Sequence, residues 1–347
     1  MSKPPTLRDV ASAAGLAPAT VSRFLNGGIT LPDTTAARIF NAVKSLGYQP
    51  NPHARRLSRG RADMVGLAVP DIQTPFFAKL ASAADQQADP QEKSVLLRTT
   101  LNRPERELGT IEQLRRGYFD GLIFATNRPE TNDLAFAINR GPLNVVIVDE
   151  DIPGAIAPRV FCDNRQGGRL AARHFLEAGH RTFAYIGGHR NLMSARERCE
   201  GFRDTLREAG PDYSLVSSEF GEYDSEHGRA AMTRILAQTP AATAVFAGSD
   251  EILLGALGAV RERGLRIGED IAFVAFDDML PLSLFDPPIT AIRQPVADIG
   301  TSAFDLINIT GPASPPSEIR LPVELIVRHS VKPPRQAQGR RRARHVP

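Results

Sequence analysis

The chain has 347 residues, 42% hydrophobic and 23% charged, enough for two or three compact units that each bury a core. No apolar run approaches a membrane span, "MSKPPTLRDV" lacks the apolar core of a secretory signal, and Cys162 and Cys199 stand without CxxC spacing or nearby His pairs. A membrane protein, a disulfide-stapled domain and a zinc module are thereby set aside, and a cytoplasmic location is expected. The net charge of +3 is unevenly distributed: residues 1–61 carry nine Lys/Arg against Asp9 and Asp33, residues 331–347 carry six and no acid, and the middle holds about −10. A basic N-terminal module on an acidic body implies a polyanionic partner for the module.

In chain order, "TLRDVASAAG" places Leu7, Val10, Ala11 and Ala14 at helical spacing, with Thr6 and Asp9 as a capping box and Gly15 as the stop. "LAPATVSRFLNG" follows, with Pro18 at the first helical position, where no N–H is lost, and Val21, Phe24 and Leu25 as one apolar stripe. "LPDTTAARIFNAVKSLGY" predicts a third helix facing its core with Ala36, Ile39, Phe40, Val43 and Leu46. A gap of three or four residues around Gly15 suits a helix-turn-helix, in which the second helix meets base edges in the DNA major groove. The small residues Pro18, Ala19 and Thr20 let that helix end seat deeply, with methyl groups toward thymine and Arg23 toward guanine O6/N7. A three-helix bundle that binds protein shares this spacing. "NPHARRLSRG" favours DNA: too short for a stable helix alone, it sets Leu57 among Arg55, Arg56 and Arg59, as a minor-groove wedge with phosphate clamps requires.

From Met64 onward, "VGLAVP", "SVLLRT", "GLIFAT" and "NVVIVD", then "FAYIGG", "TAVFAG" and "IAFVAF", read as buried parallel strands alternating with helices. Two such sets predict two doubly wound α/β subdomains with a ligand cleft at the strand C-termini. Phe76, Phe77, Asp149, Asp250 and Asp277 follow these strands and are candidates for contact. Aspartates at strand ends also cap helices, and that reading is preferred for Asp250. The chain has no G-x-S-x-G, P-loop or complete G-x-G-x-x-G, and no histidines at metal-ligand spacing, so neither an enzyme nor a cofactor or metal is expected. The tail "KPPRQAQGRRRARHVP", with two prolines and no apolar repeat, cannot form a coiled coil and is expected to be disordered.

The segments "TLRDVASAAGLAPATVSRFLNG", "LGYQPNPHARRLSRG", "VPDIQTPFF" and "VELIVRHS" resemble the lactose-repressor (LacI/GalR) family of bacterial transcription regulators, over residues 6 to about 330. The resemblance implies a homodimer on double-stranded, pseudo-palindromic operator DNA. Pro18 to Leu25 would read the major groove, Leu57 of a hinge helix would enter a central base step, and Thr6, Thr20, Ser22, Asn26 and Tyr48 would hold phosphates. It implies a helix-turn-helix domain over 1–49, a hinge over 50–61, and a periplasmic-binding-protein-like body over 62–330. The body would be crossed near Asp163, Ala291 and Leu321, giving subdomains 62–162 with 291–321 and 163–290 with 322–330. Asp149, Asp277, Phe77, Ser194, Arg198 and Tyr223 match effector positions, and Phe76 adjoins them. Aromatic faces beside Asp and Arg suit a sugar or polyol that releases the repressor from DNA; a nucleobase acting as corepressor would use similar walls. Two departures stand out: Ala17 replaces a serine cap, and Ala36 replaces an arginine on the third helix.

Overall fold

The computed structural model describes residues 5–48, 62–128, 130–239, 241–279, 281–309 and 316–335. The expected hinge helix with Arg55 and Leu57, and the basic tail beyond residue 335, lie outside the described residues. The chain separates into two units, Met1–Asp63 and Met64–Pro347.

The first unit holds α1 (Leu7–Ala14), α2 (Pro18–Leu25) and α3 (Asp33–Leu46) around Val10, Ala11, Ala14, Val21, Ile39 and Ala42. Thr6 caps α1 reciprocally with Asp9, and Gly15 ends it in the left-handed region at φ 65°. The orphan carbonyls there are also met from α3: Arg38 Nη2 donates to Ala14 O (2.5 Å) and Gly15 O (3.4 Å). The stripe of α3 differs from the sequence expectation. Ile39 and Ala42 face the core with Val43 beside them, whereas Leu46 is exposed and Phe40 is 58% exposed, its ring edge-on to that of Phe24 at 5.5 Å. Two eight-residue helices cover too narrow a strip to bury every apolar position of a fourteen-residue one.

The second unit alternates strands and helices: β1 (Met64–Val69), α4 (Pro75–Ala88), β2 (Ser94–Thr99), α5 (Pro104–Arg115), β3 (Gly121–Phe124), α6 (Asn132–Asn139), β4 (Val145–Val148) and β5 (Arg159–Cys162). There follow α7 (Asn164–Glu177), β6 (Thr182–Gly187), α8 (Met193–Ala209), β7 (Ser214–Phe220), α9 (Ser225–Gln238), β8 (Ala244–Ala247), α10 (Asp250–Glu262) and β9 (Ala272–Phe276). Last come β10 (Thr290–Arg293), α11 (Val296–Ile309), β11 (Glu318–Leu321) and β12 (Glu324–Ile326). They form two six-stranded sheets, ordered β11-β5-β4-β3-β1-β2 and β12-β10-β9-β8-β6-β7. All pairs are parallel except β10 with β12. Strands such as VGLAV and AFVAF are buried on both faces because helices cover both sides of each sheet.

The chain passes from the first lobe to the second between β5 and α7, and again between β11 and β12. The remaining passage follows Arg293, two residues beyond Ala291. Ala291 pairs with Ala275 of β9 and Ile326 of β12, so all of β10 belongs to the second sheet.

One helix crossing positions the cleft. A Cβ on Gly168 of α7 would lie 2.2 Å from the carbonyl oxygen of Arg198 on α8, and one on Gly201 of α8 would lie 2.0 Å from that of Arg165 on α7. Only glycine allows the two backbones to approach this closely.

Candidate functional site

On the first unit, α2 begins at Ala17 with no side-chain cap, and Pro18 occupies its first turn. Ala17, Pro18, Ala19 and Arg23 are exposed; Thr20, Ser22 and Asn26 are half-buried, with Asn26 Nδ2 directed at Ser22 Oγ (3.4 Å). The helix start therefore presents small side chains with a guanidinium five residues beyond Pro18. Thr6 is exposed but committed to its cap, its hydroxyl donating to Asp9 Oδ2 at 2.8 Å. Tyr48 packs against the helical core.

On the second unit, Phe76, Phe77, Asp149, Ser194, Arg198, Tyr223 and Asp277 all line one cavity of about 70 Å³ between the lobes. They come together because each follows the C-terminal end of a parallel strand, where loops from both sheets converge. Phe76 and Phe77 pack edge to face, 5.1 Å between centroids.

Arg198, from α8, is buried. Its Nε donates to Asn164 Oδ1 (2.8 Å), its Nη1 to the Gly248 carbonyl (2.6 Å), and its guanidinium lies 3.6 Å over the Phe276 ring. Among the described residues no carboxylate comes within ion-pair distance of it. Fixed by neutral acceptors and an aromatic face, the guanidinium makes no contact ion pair and acts on the cavity carboxyls Asp149, Glu150 and Asp277 through its field alone.

Sequence reasoning missed part of the lining: Thr74, Asn127, Glu150, Ser249, Glu251 and Gln294 also face the cavity. Glu150 carries the most consequence. From the first lobe it accepts the backbone N–H of Ser194 at 3.2 and 3.3 Å and the Ser194 hydroxyl, which also meets Tyr223 Oη at 2.7 Å. It thus serves the start of α8, whose N-cap Leu192 has no polar side chain, from across the cleft. Its adjacency to Asp149 at a strand end was the available signal.

Asp149 and Asp277 occupy corresponding places after β4 and β9, both in the left-handed region, at φ 71° and 75°. Asp277 accepts from Gln294 Nε2 (2.6 Å). Burial pushes Asp149 up to about 8, with Glu150 adding to the shift and Arg198 opposing it; burial likewise lifts Asp277 to about 6 against the pull of Arg198. The cap assigned to Asp250 belongs instead to Ser249, whose hydroxyl accepts from Ile252 N–H at 3.2 Å. Asp250 itself lies one position further, inside the first turn and buried. Its Oδ2 has no hydrogen-bond partner, and burial raises its carboxyl to about 9.

Residues 6–51 match the model of the bacterial regulatory proteins of the lacI family, and residues 172–331 that of a periplasmic binding protein-like domain. The regulator DegA of Bacillus subtilis is 32% identical over 335 residues, covering 94% of this chain and 98% of DegA; GalR of Escherichia coli is 31% identical over 95% and 96%. The chain belongs to the LacI family. Among solved structures, the lac repressor dimer bound to operator and the anti-inducer ONPF aligns with TM-score 0.81 at 26% identity, over 95% of this chain and all of that one. The CelR–cellobiose complex aligns with TM-score 0.71 at 30% identity, over 94% of this chain and 99% of that one. This family member is a sequence-specific DNA-binding regulator of transcription with a small-molecule-responsive body, and not an enzyme. No helix among its described residues is long and apolar enough to cross a membrane.

Proposed function

We propose that the protein is a homodimeric repressor that reads a pseudo-palindromic operator with Pro18, Ala19, Thr20 and Arg23 of α2, and that a sugar-like effector in the cleft of the body releases it. The observation that carries this reading is the convergence of Arg198, Ser194 and Tyr223 from the second lobe with Phe77 and Asp149 from the first on one cavity. A ligand held by both lobes binds one interlobe arrangement better than another, the condition for shifting an equilibrium. The aromatic wall and the ring of hydroxyl, amide and carboxylate groups suit a polyol, and the similarity to a cellobiose-bound regulator supports that class. Exposed Leu96 and Leu97 along the edge strand β2, with Ile72 and Leu101 in the flanking loops, offer apolar side chains to a second copy, and the similarity to the dimeric lac repressor supports that partner.

The test is Arg198→Ala. Its operator affinity in gel-shift titration should stay within about threefold of wild type, while the effector response, a coupling of about 1–3 kcal/mol per site, disappears. An Arg198→Ala protein responding with wild-type effector affinity refutes the assignment.

A further inference from the structure

We propose that the effector carries a positive charge, a polyol bearing an ammonium group such as an amino sugar, and that Glu150, Glu251 and Asp149 receive that ammonium. The proposal rests on the cleft being the effector site and concerns what the cleft selects.

The cavity is lined by four carboxyl groups, Asp149, Glu150, Glu251 and Asp277, against the single guanidinium of Arg198. Arg198 offsets at most one of these four charges, and it does so without an ion pair, because its Nε and Nη1 are engaged by Asn164 and the Gly248 carbonyl. The Asp149 carboxyl has no hydrogen-bond partner among the described residues, although it lines the cavity, where burial and then the neighbouring Glu150 push its pKa up and Arg198 only partly opposes them. Clustered in one cavity, these carboxyls repel one another in their ionised forms; a neutral polyol would leave that repulsion in place and an acid would add to it, whereas a bound ammonium relieves it and favours the ionised carboxylates. A metal ion does not answer the need: among the described residues no three Asp, Glu, His or Cys side chains approach closely enough to hold one. The balancing charge must therefore reach carboxylates spread around the wall, as an ammonium on a multi-atom skeleton does. Of the neutral lining groups, Ser194, Tyr223 and Gln294 are already hydrogen-bonded within the wall, and the side chains of Thr74 and Asn127 are left for hydroxyls.

The test uses the full-length protein in thermal-shift and calorimetric titrations with two matched sets, D-glucose, D-glucosamine and D-glucuronate, and D-galactose, D-galactosamine and D-galacturonate. In at least one set the amino member should raise Tm while the neutral and acidic members do not. Glu150→Gln and Glu251→Gln should each weaken amine binding about tenfold or more, as expected for loss of a charge-assisted contact. Two neutralising variants are specified because Glu150 also ties the lobes together. A neutral or acidic member that binds as tightly as its amine, amine binding unchanged in both variants, or no response to either amine overturns the proposal. If a neutral sugar binds and Arg198→Ala abolishes it, the cleft assignment stands and only the charge inference falls. Binding that ignores Arg198→Ala removes the cleft assignment itself.

Discussion

Replacing Gly168 by alanine tests whether the α7–α8 crossing sets the reach of Arg198. The added methyl would sit 2.2 Å from the Arg198 carbonyl oxygen and 2.7 Å from the Phe202 nitrogen. Both obstacles are backbone atoms, so no side-chain rotation relieves them and α8 must move by roughly 1 Å, as overpacked elements do. That shift is enough to break the hydrogen bonds of Arg198 to Asn164 Oδ1 and to the Gly248 carbonyl, now 2.8 and 2.6 Å. Two effects on stability oppose each other. Alanine gains about 0.5–1 kcal/mol over glycine within a helix, while overpacking costs about 1–3 kcal/mol. A net loss near 1 kcal/mol lowers Tm by about 2–4 °C in a body of this size. Scanning calorimetry reads the stability, and gel-shift titration with and without effector reads the response, which should weaken while effector-free operator binding persists. A Gly168→Ala protein more stable than wild type, with an unchanged effector response, would refute the argument.

Two other outcomes follow from the same structure. Arg23→Ala should lose about 1–3 kcal/mol of base discrimination per half-site, measured by competition between operator and scrambled DNA; an equal loss on both sequences would make Arg23 a phosphate clamp. Asp250→Asn should raise stability and flatten its pH dependence. The unfolded carboxyl ionises near pH 4, whereas the buried one holds its proton up to about 9, so wild-type stability falls as pH rises across that window. Denaturant titrations of both proteins at pH 5, 7 and 8.5 check this, and parallel stability curves would contradict it.

Sequence carries local signals well and long-range ones poorly, and particular residues show why. Thr6, Asp9, Gly15 and Pro18 act within one turn of their own helix, so the starts of α1 and α2 are readable from neighbours alone. Strands such as β4, β8 and β9 are continuous apolar runs because both faces are covered. The strands β7, β11 and β12 sit at sheet edges and are only half-buried, so SLVSSEF, EIRL and ELI keep polar residues and lose the pattern. The rotation of α3 depends on how much surface its partners offer, which no residue within α3 encodes. In the cleft, Arg198 and the aspartates after β4 and β9 were visible through family positions. Glu251 was masked by its position beside Asp250 in what reads as an ordinary acidic first turn. Asn164 and Gln294 act on residues far off in the chain, Arg198 and Asp277, through contacts that spacing cannot announce.

The strands β11 and β12 end opposite sheets although only two residues separate them. During synthesis the first lobe therefore waits, with β5 as an open edge, while the second lobe emerges from the ribosome, and the second lobe in turn waits with β10 uncovered. Both edges close within nine residues of chain, from Glu318 to Ile326. Neither lobe is a finished product before the other. A nascent chain that stalls short of Glu318 exposes two unpaired strand edges at once, which makes it a substrate for chaperones rather than a half-active regulator.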